Sequence, residues 1–396
     1  APLKFADAEY IMLSDHDDVL EVNALYEIVK ALNTGGHPDI VYTDEDKVTM
    51  DGKEYFDPHF KPDFNWNLLR SNNYICHIFV VSKKIVDQIG EFRKEYDGAQ
   101  DFDFILRCCE KANCIYHIPK VLYHWRSHPN STAGNPASKM YAYENGRKAV
   151  EAHYKRIQQD AEVTMTPYWG RYRSKLKHKG TPLVSIIIPN KDHIDDLDRC
   201  IKSIYEISTY KNFEILIVEN NSSQQETFAY YEQIQQTRKN LKGLYWKEHF
   251  NYAAINNFGV KYAQGDFFIF LNNDIEVITP EWMEEMLGYC QREEVGIVGA
   301  KLYYPNDTVQ HAGVVIGMGA DHAAGHVFYG VDRKQFTYGG RANSTQDISA
   351  VTAACMMVKR SVHEDIGGFD ENFEVAFNDV DYCLRVRELG KTVVFH

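Results

Sequence analysis

Two short stretches of the chain place carboxylates directly after apolar residues. Residues 13–20 read LSDHDDVL, and residues 271–274 read LNND. Carboxylate oxygens at the end of a buried strand suit a hard divalent cation that also binds phosphate oxygens. Asp15, Asp17 and Asp274 are therefore metal candidates, although polar residues also cap strands and begin turns.

The surroundings of these carboxylates occur twice. Asp17 falls on Asp274 at an offset of 257 (274 − 17 = 257), and flanking residues such as Ala6 and Ala263 match at the same offset. Such a long spacing is not that of a solenoid repeat, whose units have about 20–50 residues. It predicts a duplicated domain, and the two matched contexts favour the metal interpretation over the capping one.

A second acidic pattern also occurs twice, as QDFDFILR and NDVDYCLR. Each copy opens a predicted helix, where Asp side chains often accept hydrogen bonds from the first backbone amides. A carboxylate at such a position can also take a proton from an acceptor hydroxyl. Asp101 and Asp379 are the better candidates for a general base, whereas Asp103 and Asp381 are as compatible with capping as with catalysis.

Composition limits the classes of protein that fit. The chain has 396 residues, 44% of them hydrophobic, so two globular domains are expected. A net charge of −13 argues against sequence-independent nucleic-acid binding, which requires cationic side chains on phosphates. The eight cysteines form no CxxC pair and predict free thiols in a reducing compartment. No apolar run approaches the roughly 18 residues of a membrane span.

Buried strands alternate with helices in the second half of the chain. VSIIIP, FEILIV and DFFIFL read as strands, and the segments between them as helices, which predicts an α/β fold with a mostly parallel sheet. Ligands of such sheets bind beyond the carboxyl ends of the strands. The polar residues at these three ends predict a nucleotide pocket; they are Asn190 and Asp192, Glu219 and Asn220, and Asn272 and Asp274.

The predicted boundaries are a first domain at 1–165, a linker at 166–181 and a second domain at 182–396. Only 16 residues precede Asp17, whereas 92 residues run from Pro182 to the residue before Asp274 (274 − 182 = 92). The first domain therefore lacks two strands, and we expect the chain to be a piece of a longer protein, cut inside one repeat and truncated in the second.

Two histidine-containing stretches have less specific patterns. His124 lies in VLYHWRSH, and a histidine on a strand is more often structural than a ligand. The stretch QHAGVVIGMGADHAAGH, residues 310–326, is rich in glycine and predicts a mobile loop. A zinc site there lacks thiolate or carboxylate partners at ligand spacing.

The ordered motifs SIIIPNKD, IVENNSS, LNND and GGFDENFEVAFNDVDYCLR resemble those of family 2 glycosyltransferases with the GT-A fold, as do LSDHDDVL, GAQDFDFILR and VLYHWRSH in the first half. The resemblance covers nearly the whole chain. It implies two GT-A, Rossmann-like domains in tandem, the first without its N-terminal nucleotide-binding half. Tandem copies resemble bacterial enzymes that build rhamnan-type or other cell-surface polysaccharides.

The resemblance implies roles for the residues named above. Asp17 and Asp274 take the place of the last Asp of the DxD motif, which holds Mn²⁺ or Mg²⁺ on the donor diphosphate, with Asp15 beside it. His124 resembles the family's late metal-binding histidine, and Asp101 and Asp379 its catalytic base. The implied donor-binding residues are Asn190, Asp192, Glu219, Asn220, Asn257 and Asn272.

The implied activity is metal-dependent, inverting transfer from a UDP- or dTDP-linked sugar to a glycan or lipid-linked glycan. The implied location is cytoplasmic, peripheral at the inner membrane face, with no nucleic-acid partner. Asn272 and Asn273 stand where the family has an aspartate motif, and Asn378 stands where Glu is common. The second domain is alternatively a non-catalytic glycan-binding or scaffold module. A nucleotidyltransferase is disfavoured because PNKDHIDD lacks a glycine-rich basic loop.

The spacing between the metal and base candidates differs between the two copies. It is 105 residues in the second (379 − 274 = 105) and 84 in the first (101 − 17 = 84). We expect the 21 extra residues to lie in the Gly/His-rich region 311–342 and to face the acceptor. The two domains are then expected to use different acceptors or to form different linkages.

Overall fold

A computed structural model describes residues 2–127, 140–319 and 322–396. The chain divides into two compact units. Unit 1 comprises Ala1–Ser174 with Tyr338–Ser344, and unit 2 comprises Lys175–Thr337 with Thr345–His396. The stretch predicted as a linker is partly regular structure, because a strand at Tyr172–Leu176 pairs with the strand Ala161–Met165 before it.

Unit 1 is built on a six-stranded sheet whose main path is β1-β5-β3-β6-β2, with β4 paired to β3. The β3–β6 pair is parallel and the other pairs are antiparallel. The strands are β1 (Tyr10–Leu13), β2 (Val19–Leu20), β3 (Ile40–Val48), β4 (Tyr55–His59), β5 (Phe79–Ser82) and β6 (Ile115–Arg126), followed by the hairpin of β7 (Ala161–Met165) and β8 (Tyr172–Leu176). The helices are α1 (Ala24–Thr34), α2 (Trp66–Ser71), α3 (Lys83–Ile89), α4 (Gln100–Cys109) and α5 (Met140–Arg156).

The core of unit 1 forms where α1 packs on the sheet. Ala24, Ile28 and Ala31 are buried at a spacing of four and three residues, which places them on one face of the helix. This face packs in one cluster with strand residues that include Val41 and Val80.

Unit 2 is built on an eight-stranded sheet in the order β11-β10-β9-β12-β19-β13-β20-β18. The strands are β9 (Val184–Asn190), β10 (Phe213–Asn220), β11 (Leu241–Trp246), β12 (Phe267–Leu271), β13 (Val295–Gly299), β14 (Leu302–Tyr303), β15 (Val309–His311), β16 (Val314–Ile316), β17 (Ala324–His326), β18 (Gln346–Asp347), β19 (Cys355–Lys359) and β20 (Thr392–Phe395). The helices are α6 (Ile194–Ile207), α7 (Gln225–Thr237), α8 (Tyr252–Val260), α9 (Trp282–Cys290), α10 (Arg360–Asp365) and α11 (Asn378–Glu388). No helix of the described residues is both long and apolar enough to cross a membrane.

The sheet of unit 2 is mixed rather than mostly parallel. The strands β11, β10, β9 and β12 run parallel, as does the pair β13–β20, but β19 runs antiparallel to both of its neighbours. The apolar run of β19 predicts a buried strand but contains nothing that fixes its direction. The predicted strands β9, β10 and β12 are confirmed, whereas the helix predicted over 251–265 ends at Val260.

Four strands of each unit follow the same order with the same directions, as β1-β5-β3-β6 and β12-β19-β13-β20. Their registers also agree. Ile40 pairs with Ile115 in unit 1, and Ile297 pairs with Val393 in unit 2. The offset between the first members of these pairs is 257 (297 − 40 = 257), which equals the offset of Asp17 and Asp274.

The Gly/His-rich stretch predicted as a mobile loop contains short paired strands. β15 pairs with β14, and β16 pairs with β17 across the register Val314 to His326. The histidines at the ends of β15 and β17 are thereby held in fixed positions. The sequence did not predict these strands because glycine has a weak preference for strands.

Candidate active site

The carboxyl ends of three neighbouring parallel strands of unit 2 bring several predicted residues together. Asn190 ends β9, and Glu219 of β10 lies beside it in register. The side-chain Nδ2 of Asn273, just beyond β12, donates to Asn190 Oδ1 at 2.6 Å. The three ends therefore form one polar edge, as the sequence predicts.

Glu219 and Asn190 are joined by a tyrosine that the sequence did not single out. The Tyr231 hydroxyl of α7 donates to Glu219 Oε2 at 2.7 Å and accepts from Asn190 Nδ2 at 2.7 Å. Glu219 also accepts from the Ser222 hydroxyl at 2.7 Å. Burial raises the pKa of Tyr231, so the phenol stays protonated and can donate. This buried network holds the ends of β9 and β10 in one arrangement.

Asp192 holds the loop between β10 and α7 rather than pointing freely into solvent. Its Oδ1 accepts from the backbone amides of Ser223 and Gln224, each at 3.0 Å. The Gln224 amide, as the main cause, lowers the pKa of Asp192. An adjoining cavity of about 560 Å³ is lined by residues 191–196, Arg199 and Gln224.

Two other predicted donor-binding residues bind backbone groups. Asn220 donates to the Glu248 carbonyl at 3.2 Å. Asn257 of α8 pairs with Phe369 in both directions, donating to its carbonyl and accepting from its amide at 2.9 Å each. These contacts of Asn257 anchor the loop after α10, and the structure gives it no hydrogen bond to Asn190, Glu219 or Asn272.

Asp274 has a different environment from the other strand-end residues. Its side chain is exposed, and within the described residues it makes no hydrogen bond or ion pair. Asn272, two residues before it, is tied by its backbone amide to the Ala354 carbonyl at 3.1 Å. The strand end is thus held in place while the Asp274 carboxylate remains available.

Asp379 lies beside the same strand end. Its Oδ2 accepts from the Ala353 amide at 3.2 Å, and its Oδ1 from the Val380 amide at 2.9 Å. Because Ala353 and Ala354 are consecutive, one short segment holds both the Asp379 carboxylate and the Asn272 backbone. A carboxylate has about four acceptor positions, so Asp379 retains capacity for a substrate hydroxyl.

Tyr252, at the start of α8, joins these two features. Its hydroxyl lies 3.2 Å from the Ala353 carbonyl and 3.5 Å from Asn272 Oδ1. Burial, reinforced by the charge of Asp379, raises its pKa, so it is a neutral donor. No pattern in the sequence distinguishes this tyrosine from the others of the chain.

Asp103 and Asp381, which the sequence left open between capping and catalysis, are anchors. Each forms an ion pair with the arginine four residues later, Asp103 with Arg107 and Asp381 with Arg385, at 2.9 and 2.8 Å. Each arginine also donates to two carbonyls of the preceding loop, which are those of Ile89 and Glu91 for Arg107 and of Ile366 and Gly368 for Arg385. The offset between the loops is 277 in both cases (366 − 89 = 277).

In unit 1, hydrogen-bond donors also contact the carboxylate of Asp101, but they belong to side chains. Its Oδ2 accepts from Asn73 Nδ2 at 2.9 Å and lies 3.7 Å from the Cys76 thiol. Burial, with the charge of Asp101, raises the pKa of Cys76 well above its usual value. The thiol is therefore protonated and can donate to the carboxylate.

In unit 1 the predicted metal residues Asp15 and His124 have other side chains as neighbours. The carboxylate of Asp15 is 3.7 Å from His77 Nε2, and the Asp17 carboxylate is about half exposed. His124 is buried and faces Asp46 at 2.5 Å and Glu21 at 3.4 Å. Successive side chains of a strand point to opposite faces, and Tyr123, not His124, lies on the face of β6 that contacts the Asp15 backbone.

No group of three or more His, Cys, Asp or Glu side chains that could hold a metal occurs among the described residues. The chain just after β12 offers the exposed carboxylate of Asp274. This fits a cation that binds through one or two carboxylates and takes its other ligands from substrate phosphates and water, as Mg²⁺ does.

Comparisons with known proteins give one family model and several relatives. Residues 185–367 match the model of the family described as Glycosyl transferase family 2. The chain is 43% identical over 394 residues to "Uncharacterized protein y4gI" of Sinorhizobium fredii, covering 98% of this chain and 43% of that protein. It is 41% identical over 379 residues to "O-antigen biosynthesis protein RfbC" of Myxococcus xanthus, covering 96% of this chain and 29% of that protein.

The chain thus spans less than half the length of either curated relative. Solved structures similar to it include the mannosyltransferase PcManGT from Pyrobaculum calidifontis in complex with GDP-Man and Mn²⁺. That match has a TM-score of 0.40 and 15% identity, and it covers 65% of this chain and 66% of that one.

Proposed function

We propose that unit 2 transfers a sugar from a nucleotide-sugar donor to a glycan acceptor with inversion of configuration, because residues 185–367 match the model described as Glycosyl transferase family 2. One observation carries the proposal. The segment Thr352–Ala354 binds the Asp379 carboxylate through one amide and the Asn272 backbone through the neighbouring residue. A candidate base therefore lies next to the strand end that bears the exposed Asp274 carboxylate.

The reaction is a single displacement. Asp379 accepts the proton of the acceptor hydroxyl while that oxygen forms a bond to the anomeric carbon of the donor sugar. The bond between the anomeric carbon and the diphosphate oxygen breaks, and the nucleoside diphosphate leaves from the opposite face. The Ala353 and Val380 amides hold the carboxylate in one orientation, which reduces the reorganisation needed in the transition state.

Asp274 would hold Mn²⁺ or Mg²⁺ on the donor diphosphate. Bound there, the cation supplies Lewis-acid stabilisation of the charge on the leaving diphosphate. The protein's own contribution is an exposed carboxylate that makes no hydrogen bond to the described part of the chain, on a backbone held by the Ala354 carbonyl.

We propose that the donor nucleoside binds at the ends of β9 and β10. The Asn190–Tyr231–Glu219 network supports this because it presents ordered amide and carboxylate groups at the edge where ligands of such sheets bind. Uridine and thymidine diphosphates are the two nucleotide classes we propose. Asp192 and Asn220 then act by shaping the loops around the nucleoside.

We also propose that unit 1 is the second half of a similar GT-A domain, so that the chain carries two domains in tandem. The shared order and register of four strands support this, as do the matched anchors Asp103 and Asp381. Asp101 then corresponds to Asp379 as the base. The contacts of His124 favour a structural role over metal binding.

The biological role that we propose is the synthesis of a bacterial surface polysaccharide on a glycan or lipid-linked glycan, at the inner face of the cytoplasmic membrane. Similarity to a protein named for O-antigen biosynthesis supports it. The alternative, a glycan-binding or scaffold module, is favoured by the single carboxylate at the strand end, since Asn272 and Asn273 replace acidic residues.

A transfer assay distinguishes these functions. The chain is incubated with Mn²⁺, UDP- and dTDP-linked hexoses and deoxyhexoses, and a panel of methyl glycosides, and the linkage of any product is read by proton NMR. The proposal predicts release of nucleoside diphosphate and a product of inverted anomeric configuration. Retention of configuration would contradict the mechanism, and binding of glycosides without release from any donor would favour the scaffold function.

A further inference from the structure

A pair of histidines in unit 2 lies close to the proposed base. His311 ends β15 and is fully buried, whereas His326 ends β17 and is exposed. Their Nδ1 atoms are 3.0 Å apart. The pairing of β16 with β17 holds His326 opposite Val314, and Val314 in turn bridges to Ala350. The exposed ring is therefore held in place by backbone pairing.

Hydrogen bonds fix which nitrogen of each ring carries the proton. The Thr352 amide donates to His311 Nε2 at 3.4 Å, so this nitrogen is an acceptor. Burial lowers the pKa of His311 to about 3, so its ring is neutral and carries its proton on Nδ1. His311 then donates to His326 Nδ1, which leaves the proton of a neutral His326 on Nε2. This assignment follows from the network.

The pair is linked to Asp379 through neighbouring backbone amides. Thr352, which binds His311, is adjacent to Ala353, which binds Asp379. Partial burial lowers the pKa of His326, and the negative charge of Asp379 opposes this change. The carboxylate and the ring therefore interact electrostatically. Within the described residues His326 Nε2 has no hydrogen-bond partner. A fixed donor is thus presented near the base.

The pair lies between two strands of unit 2 that are further apart in the sequence than their counterparts in unit 1. The offset between the units is 257 at β13 and 277 at β19 (359 − 82 = 277). The additional residues therefore lie between these strands, in the part of the chain that contains His311 and His326.

We propose that His326 is an acceptor-binding residue, whose Nε2–H donates a hydrogen bond to an oxygen of the acceptor sugar near the hydroxyl that Asp379 deprotonates. His311 is a positioning residue that fixes the tautomer of His326. The ligand class is a glycan with an oxygen acceptor beside the attacking hydroxyl. The inference rests on the proposed function of unit 2.

The first test reads the tautomers directly by long-range proton–nitrogen NMR of the chain labelled with ¹⁵N-histidine. Signals are assigned by their loss in His311→Gln and His326→Gln. We expect His311 as the Nδ1–H tautomer and His326 as the Nε2–H tautomer at pH 7.5. His311 as the Nε2–H tautomer would overturn the proposal.

The second test measures acceptor use with the panel of methyl glycosides. His326→Ala is expected to raise the acceptor KM about tenfold, the loss of one good hydrogen bond. Binding of UDP or dTDP and release of nucleotide to water should be unchanged. His326→Gln keeps a donor and should recover part of the effect. Unchanged acceptor KM in His326→Ala would overturn the proposal.

The positioning role of His311 has its own comparison. His311→Gln can accept from the Thr352 amide and donate to His326, whereas His311→Leu can do neither. Only the leucine variant should raise the acceptor KM. If the unmodified chain binds no nucleotide, the proposed function fails. In that event, millimolar methyl glycosides must still shift the His326 Nε2–H signal, or the inference fails as well.

Discussion

The two aspartates that open α11 differ in what they bind. Asp381 pairs with Arg385, whereas Asp379 accepts from two backbone amides and keeps part of its hydrogen-bonding capacity. Asp379→Asn should lower kcat for transfer by about 10²–10⁴-fold, because the positioned base is lost. The affinity for UDP or dTDP should not change, since Asp379 does not bind the nucleotide. Steady-state kinetics and calorimetry measure the two quantities.

Asp365→Asn is a suitable control for this prediction. Asp365 is an exposed carboxylate at the end of α10 and makes no hydrogen bond or ion pair within the described residues. This variant should retain full activity. Full transfer activity in Asp379→Asn would exclude Asp379 as the base.

The anchoring carboxylates give a contrasting prediction. Asp103 is fully buried between Arg93 and Arg107. Asp103→Asn leaves buried charges without a partner and should lower the free energy of unfolding by about 3–5 kcal/mol. Asp381→Asn should cost less, because Asp381 and Arg385 are each about a quarter exposed. Urea unfolding of both variants measures the difference, and equal losses would contradict this interpretation.

Among the elements, α7 stabilises the ends of β9 and β10 through one hydroxyl. Tyr231→Phe removes the link between Glu219 and Asn190 in a buried network. We expect it to lower the free energy of unfolding by about 1–3 kcal/mol, the typical cost of leaving buried polar groups unpaired. Nucleotide affinity should fall as well, since the strand ends lose their fixed geometry.

The neighbouring tyrosine provides the comparison. The Tyr230 hydroxyl donates only to Asp198, in a partly exposed position. Tyr230→Phe should therefore have a smaller effect on unfolding by urea and none on nucleotide binding. Similar effects of the two substitutions would show that the network has no special role.

The sequence predicted the strands whose apolar runs are long and end in polar residues, namely β9, β10 and β12. It did not predict the direction of β19, since burial on both faces yields the same apolar run in either direction. It located Asp379 from a repeated motif. It missed Tyr252 and Ala353, because their roles arise from contacts between residues about 100 positions apart.

The histidines show the same limit of prediction from the sequence. A glycine-rich stretch with scattered histidines predicts a loop, and only strand pairing reveals that His311 and His326 contact each other. Conversely, His124 resembles a metal ligand in its motif. Its place on β6 turns the ring toward Asp46, and a strand's alternation is not evident when its register is unknown.

At the scale of the whole molecule, both units contain buried histidines. Burial lowers the pKa of His153 in unit 1 and of His363 in unit 2, each to about 4. The unfolded chain protonates these rings near pH 6.5, so between these values the folded state binds fewer protons. Their contribution to stability is present above pH 6.5 and is lost as the pH falls.

The free energy of unfolding should therefore decrease from pH 7 toward pH 4.5. His363→Gln should reduce the slope below pH 6 by up to about 1.4 kcal/mol per pH unit, the value for one proton. Changing the fully exposed His16 to Gln should leave the slope as it is. Urea unfolding across this pH range tests the prediction, and a slope unaffected by His363→Gln would contradict it.

The main proposal is that unit 2 holds a nucleoside diphosphate through a cation at Asp274. Its most direct test is titration calorimetry of UDP and dTDP, with and without Mn²⁺, on the chain, on Asp274→Ala and on Glu276→Gln, which alters an exposed carboxylate two residues away. We predict metal-dependent binding of one nucleotide that Asp274→Ala abolishes and Glu276→Gln retains. Binding that is independent of metal, or unaffected by Asp274→Ala, would contradict the proposed cation site.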